Sequence, residues 1–524
     1  VSTYRDVLHK RDLEFLKRFD SISDNARLLF LRLALRSKNL FCQSKLNYSE
    51  IDIDGAVKEL EEAKLLELNS PLFFEDYSAI FTIKELQFLG RKIGIGPVKG
   101  RRAEVIEALA PYDEQLFEQV TEDYKLLLVL ESEVIDKFIF LFFGNAHEDM
   151  SHFILEDLGV RRYQKIEIDK STRLFKSKLH IKVSIELSTL HAQLWLACDE
   201  KNEELVTSIL ETMTSLRCPA VLKQKRSRSL NLGAHFFEKK RQWDKALEFY
   251  GKSTTAPARE RCTRIQDKKG NYKEALALCE MIIKKPYNSQ EQLFAEKFKE
   301  GLKRKLGLAY EKRRKNRKLK ETVLPIKWNP QGRVEQQVLD HLMSLETGRI
   351  KGFFCENVYW CALCALLFWE EYWTPGDGVF FHPFEGAARD FYSGGFFIRQ
   401  EKAIEEKLSY WQQQENYSQK ILSLLRQKRD IYCDLIQWKR LDLGSFELLL
   451  KHTPIDICLQ ISLQILKNPR EFRSGLPDLF LVGSEGFILA EVKSPNDQIQ
   501  KSQKRWFDFF SEKEIPYLIY RVKD

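Results

Sequence analysis

Gly475-Leu476-Pro477-Asp478-Leu479-Phe480-Leu481-Val482-Gly483-Ser484-Glu485-Gly486-Phe487-Ile488-Leu489-Ala490-Glu491-Val492-Lys493 decides how the C-terminal part of this chain is read. Two short apolar runs flank Gly483-Ser484-Glu485-Gly486, the composition of a four-residue hairpin loop. Such a loop sets Val482 opposite Phe487, and counting back along both strands sets Asp478 opposite Glu491. Opposed residues of an antiparallel pair hold their Cβ atoms about 4.5–5.5 Å apart. Alternation places Lys493 on the face of Glu491, together with Phe480, Val482, Phe487 and Leu489. Pro477 falls at the strand start, where its missing N–H does little harm. Two carboxylates therefore converge at the end of an apolar surface, where they repel and where loss of water sharpens the repulsion. Either one of them keeps a proton or a cation joins them. Oxygen donors of this kind select hard ions, Mg²⁺ or Mn²⁺. A lysine beside them can orient or deprotonate a water and counter the charge growing on an attacked phosphate.

Outward from the hairpin, the chain has 524 residues, of which 44% are apolar, 31% charged and 12% aromatic. That balance is ordinary for a globular protein, and the length allows three or four domains. The longest apolar stretches stay well short of a membrane span, which argues against a membrane protein. Ten cysteines are scattered without the dense spacing of a disulfide scaffold, so they are expected to be reduced and intracellular. The net charge of +8 is mild, but its distribution is not. Lys303-Arg304-Lys305, Lys312-Arg313-Arg314-Lys315, Arg317-Lys318 and Lys320 carry one intervening acid, Glu311. A run so one-sided repels itself, and an anionic partner such as nucleic acid is the natural reason for it.

The fold class is multidomain and mostly α, with an α/β C-terminal domain. Residues 1–183 read as a helical N-terminal DNA-binding domain. Within it, 77–112 pairs two short helices across the basic turn Gly94-Ile95-Gly96-Pro97-Val98-Lys99-Gly100-Arg101-Arg102, which resembles the SAP motif. Residues 184–320 read as helical hairpins, since Trp243-Asp244-Lys245-Ala246-Leu247 and Tyr272-Lys273-Glu274-Ala275-Leu276 repeat one theme and resemble tetratricopeptide units. The stretch from Thr322 to Gly332 reads as a linker, and 321–524 forms the last domain.

Asp478, Glu491-Val492-Lys493, Gln503 ahead of Trp506, and the strand-like Tyr517-Leu518-Ile519-Tyr520-Arg521-Val522 resemble the PD-(D/E)xK nucleases of the VRR-Nuc type. The order of all these regions resembles the Fanconi-associated nuclease family, as a short bacterial-type homologue or a truncated member. That resemblance implies metal ligation by Glu356, Asp478, Glu491 and the carbonyl of Val492, with Lys493 as the catalytic lysine. It implies Mg²⁺ or Mn²⁺ as cofactor, and cleavage of branched DNA with a 5′ flap, both endonucleolytically and from 5′ to 3′, in interstrand crosslink repair. A basic pocket would read the 5′-terminal phosphate. Arg470 matches one of its residues, and Arg228, Lys239, Arg259, Arg261, Lys501 and Gln503 are further candidates for DNA or phosphate. The protein is expected inside the cell, in cytoplasm or nucleoid if bacterial and in the nucleus if eukaryotic. It is expected to act on DNA as a monomer, with an oligomer the alternative. A four-way-junction resolvase and a noncatalytic repair scaffold are the competing functional readings.

Overall fold

The computed structural model describes residues 2–36, 38–145, 151–310, 319, 321–326, 329, 331–345 and 350–523. Residues 312–318, with their six basic side chains, and Lys320 lie outside that set. The chain forms two compact units, Val1–Glu148 and Asp149–Asp524.

In the first unit, Lys10–Ser21 (α1), Asp24–Ala34 (α2) and Ile53–Glu62 (α3) accompany a small antiparallel sheet of Leu40–Cys42 (β1), Leu66–Leu68 (β2) and Leu126–Val129 (β3), in the order β1-β3-β2. The unit is mostly helical as expected, but the strands were not foreseen. Strands of 3 and 4 residues are too short for alternation to register. Between the neighbouring strands β2 and β3 the chain inserts Phe74–Ser78 (α4), Ile83–Lys92 (α5), Arg102–Leu109 (α6) and Asp113–Asp123 (α7), and Ser132–Phe143 (α8) follows. The SAP-like pair is α5 and α6. Thr82 and Glu85 exchange hydrogen bonds in a capping box that starts α5. Gly94 and Gly100, both at positive φ, turn the chain toward α6. Of the basic residues in this turn, Arg102 is spent on the carbonyls of Phe81 and Ser78, while Lys99 and Arg101 face solvent.

The second unit begins with Ser151–Asp157 (α9). Seven helices then follow: Lys178–Asp199 (α10), Glu203–Ser215 (α11), Lys223–Lys239 (α12), Trp243–Gly251 (α13), Ala258–Lys268 (α14), Tyr272–Lys284 (α15) and Ser289–Lys305 (α16). Each packs on the next, and Trp243 and Tyr272 open equivalent helices, α13 and α15. Small residues at the contacts, Ala246, Ala258 and Ala275, are fully buried and let the helices approach.

Glu321–Leu324 (β4), Val334–Leu345 (α17) and Lys351–Phe354 (β5) open the C-terminal layer. A helical insertion follows: Glu356–Leu367 (α18), Trp369–Tyr372 (α19), Gly395–Gln412 (α20), Tyr417–Gln427 (α21), Leu443–His452 (α22), Ile455–Lys467 (α23) and Pro469–Phe472 (α24). Leu479–Gly483 (β6), Gly486–Lys493 (β7), Lys501–Glu512 (α25) and Tyr517–Val522 (β8) complete it. The sheet runs β4-β8-β7-β6-β5, with β5, β6 and β7 antiparallel, β8 parallel to β7, and β4 parallel to β8. The start of the expected linker is therefore an edge strand. Its four residues, Glu321–Leu324, gain ladder partners from β8, which sequence reading could not supply. Leu479, Leu481, Ala490 and Val492 pack with Val338, Leu339 and Leu342 of α17. Phe480, Val482, Phe487 and Leu489 face the other way and share a core with Trp506, Phe507 and Phe510 of α25 and with α18. The period-2 pattern of the hairpin thus keeps Phe480, Val482, Phe487 and Leu489 on one face as expected, and the opposite face fills a second core.

Candidate active site

In the hairpin, Val482 pairs with Phe487 and Leu479 with Ala490, so Asp478 and Glu491 come next in register, opposite one another. Gly483 pairs with Gly486, which leaves Ser484-Glu485 as a two-residue turn in place of the expected four, with the register unchanged. Gly486 supplies a φ of +112° at the exit.

Asp478 is anchored from both sides. Its carbonyl accepts the backbone N–H groups of Cys355 (2.8 Å) and Glu356 (3.2 Å), and its Oδ2 accepts the N–H of Val492 at 2.8 Å. Glu491 is 1% exposed. Its Oε1 accepts Lys493 Nζ at 2.9 Å and Gln503 Nε2 at 2.5 Å, while Oε2 is buried with no hydrogen-bond partner. Lys493, 6% exposed, also donates to Gln503 Oε1 at 3.0 Å. Burial pushes the Asp478 carboxyl up to about 6, against the pull of the Val492 N–H and with help from the charge of Glu335. Burial, then the charge of Asp478, pushes Glu491 up to about 8. Without a cation the pair therefore shares a proton at neutral pH. A buried, unpartnered carboxylate oxygen is costly unless something positive meets it. The donors here, two carboxylates with the Val492 carbonyl between Glu491 and Lys493 in sequence, are the hard oxygen set of a Mg²⁺-like ion. The residues fit a divalent cation.

Glu356 does not complete this cluster with its side chain. It opens α18 at a strained φ of +35°, and its carboxylate pairs with Arg440 at 3.1 Å. Among the described residues no three His, Cys, Asp or Glu side chains converge on one point. Sequence reasoning missed Glu335, in the first turn of α17, whose charge is felt at Asp478 ahead of that of Glu356. Its signal was an acid opening the helix before β5, indistinguishable from a favourable helix start.

Beyond Lys493, Arg521 clamps the chain leading to α25. Its Nη1 donates to the carbonyls of Ser494, Pro495 and Asp497, and Nε and Nη2 grip Glu321 of β4 at 2.5 and 3.2 Å. Gln503 belongs to the carboxylate cluster and not to an open DNA surface. The other basic candidates are spread out. Arg228 and Lys239 are exposed on α12, and Arg470 is exposed on α24. Arg259 is committed to buried Glu291, and Arg261 to buried Glu238. Lys501 lines a cleft of about 900 Å³ between α14, α16 and the C-terminal layer, together with Arg264, Arg304, Lys305, Arg505 and Glu471. Arg505 was not anticipated, although its i, i+4 spacing from Lys501 sets both on one face of α25.

A family model described as a VRR-NUC domain matches residues 412–524, and one described as the FAN1 HTH domain matches residues 1–67. A Fanconi-associated nuclease 1 homologue of Pseudomonas aeruginosa is 26% identical over 99% of this chain and 93% of its own. A homologue of Oryza sativa subsp. japonica is 22% identical over 97% of this chain and 59% of its own. In fold, the crystal structure of paFAN1 bound to 5′-flap DNA with a 2-nucleotide flap and a gap matches at a TM-score of 0.79, with 25% identity over 100% of this chain and 95% of that one. The complex with a 1-nucleotide flap matches at 0.74, over 99% of this chain and 96% of that one. With paired acids and a lysine where the hairpin placed them, the chain is similar from end to end, in sequence and in fold, to the Fanconi-associated nucleases and is a DNA nuclease that depends on a divalent metal.

Proposed function

We propose that this nuclease cuts branched DNA beside a 5′ flap, as an endonuclease and as a 5′-to-3′ exonuclease, in the repair of interstrand crosslinks. The observation that carries the reading is the unpartnered Glu491 Oε2 beside Asp478, with Lys493 at 2.9 Å from the same carboxylate. Asp478, Glu491 and the Val492 carbonyl would hold Mg²⁺ or Mn²⁺, with Glu356 as a further ligand once it leaves Arg440. When bound, the cation supplies the Lewis acidity that withdraws charge from the scissile phosphodiester. Glu491 Oε1 and Gln503 Oε1 fix the Lys493 ammonium, which orients the attacking water and meets the charge that develops on phosphorus oxygens. The leaving group is a 3′-hydroxyl, and the new end is a 5′-phosphate.

The cleft lined by Arg264, Lys501 and Arg505 is the site for the 5′-terminal phosphate, and exposed Arg470 stands beside cleft-lining Glu471. Division of labour follows the three regions 1–183, 184–320 and 321–524, with the first two holding branched DNA and the third cutting it. The single protomer acts on its substrate inside the cell. Support for the flap comes from the paFAN1 complexes, whose DNA carries one. End-labelled 5′-flap, 3′-flap, four-way-junction and duplex substrates, with wild-type and Asp478→Ala protein in Mg²⁺ or Mn²⁺, test the proposal. Cutting of the 5′ flap that is lost in the variant is expected. Symmetric junction cutting would replace the proposal with a resolvase, and binding without cleavage under either metal would replace it with a scaffold.

A further inference from the structure

Glu356 is tied to Asp478 by backbone and parted from it by side chain. Its N–H donates to the Asp478 carbonyl, yet its Oε2 accepts from Arg440 Nη2 at 3.1 Å. Both partners of that pair are open to water, the carboxylate 43% and the guanidinium 56% exposed. An ion pair so exposed is weak and readily exchanged. The segment that carries Arg440 is nonetheless anchored on both sides. It closes a short turn at Trp438–Arg440, where Trp438 Nε1 donates to the Ile431 carbonyl at 2.6 Å. Two residues on, the Asp442 N–H donates at 3.2 Å to the hydroxyl of Tyr359, one helical turn beyond Glu356 on α18. Arg440 Nη1 touches Gln437 Oε1 at 3.3 Å, and among the described residues Glu356 is its one acidic partner.

We propose that Arg440 is a phosphate-binding residue of this active site, held in reserve by Glu356. The inference rests on the reading of Glu356 as a metal ligand. In the cation-free protein the guanidinium neutralises Glu356 and keeps it out of the Asp478–Glu491 pair. With that carboxylate engaged at a cation, Arg440 would be without its acid and would turn its planar donor fork to a non-bridging oxygen pair of the DNA backbone, which it fits better than a single carboxylate oxygen. Cation and guanidinium compete for one carboxylate, so each weakens the other's hold on it by the same factor. Damage to the fold would weaken metal binding and cleavage together. Removal of a reserved arginine moves them in opposite directions.

The experiment is a Mn²⁺ titration of the full chain without DNA, read as free Mn²⁺ by electron paramagnetic resonance, beside single-turnover cleavage of a 5′-flap DNA at saturating Mn²⁺. Arg440→Gln is expected to bind Mn²⁺ about three- to tenfold more tightly than wild type and to cleave at least about tenfold more slowly, by the linkage above. Arg440→Lys is expected to recover part of the cleavage rate, and Arg440→Gln in a Glu356→Gln background should gain no affinity. Mn²⁺ affinity that is unchanged or weaker in Arg440→Gln, or cleavage that is unchanged, overturns the proposal. Asp478→Ala separates the two levels. If it binds Mn²⁺ like wild type, the metal site itself is misplaced. If it loses Mn²⁺ while Arg440→Gln changes nothing, only the role of Arg440 falls.

Discussion

Replacing Glu491 by Gln removes one of two buried, coupled carboxyl groups while keeping the shape of the side chain. The folded, cation-free protein holds the Glu491 carboxyl up near 8 against an ordinary 4.5, so it keeps a proton that the unfolded chain releases. That contribution to stability is full below about 4.5 and is lost as pH rises through about 8. In chelator, the Tm of wild type should fall across this window and that of Glu491→Gln should fall less; parallel curves would count against the assignment. Added Mg²⁺ should act in the opposite sense, stabilising more as pH rises, because it needs the acids ionised. Gln503→Ala leaves Lys493 without one of its two acceptors, and by analogy with other residues that orient metal ligands it should slow cleavage about 10–100-fold. Its KM for DNA should stay put, which a surface contact would not allow. Asp478, Glu491 and Lys493 were legible because a period of two and a tight turn fix their relation within a few residues. Glu335 and Arg440 reach the same site from distant segments, and no spacing along the chain encodes that approach.

Elements show the same division. The hairpin and α25 announced themselves through alternation and through Trp506 among apolar neighbours, whereas β1, β2 and β4 are strands chiefly because a partner is there to pair with them. The joint between the hairpin and α25 depends on Gly475. Its φ is +87°, and a Cβ there would lie 2.7 Å from the backbone carbon of Ser502 and 2.9 Å from the nitrogen of Gln503. Gly475→Ala must therefore shift the first turn of α25, at a cost of about 2–4 kcal/mol from the left-handed backbone and the overlap together. Chemical denaturation should report that loss, and cleavage should drop with it because Gln503 moves. A variant with wild-type stability and rate would show that α25 is not seated on Gly475.

At the scale of the whole molecule, the cleft between α14, α16 and the C-terminal layer is the proposed site of selection among DNA ends. Arg264 leans on Phe294 at 4.6 Å and donates to Glu260 at 2.9 and 3.0 Å, while Lys501 opens α25 on the wall of the same cleft with its charge toward solvent. Arg264→Ala with Lys501→Ala should weaken binding of a 5′-phosphorylated flap in Ca²⁺ about 10-fold or more, as for lost charge-assisted phosphate contacts. Binding of the same flap ending in a 5′-hydroxyl should change little; equal losses on both would make the cleft a general backbone contact. The sheet that carries the acids has another consequence. β5 and β6 lie side by side, yet all of α18–α24 intervenes between them in the chain, and among the described residues β4 pairs with β8 alone. On the ribosome, domains fold from the N-terminus as they emerge. The helices that would grip DNA are thus complete while the cutting centre is still unmade, and the cell meets a clamp before it meets a blade.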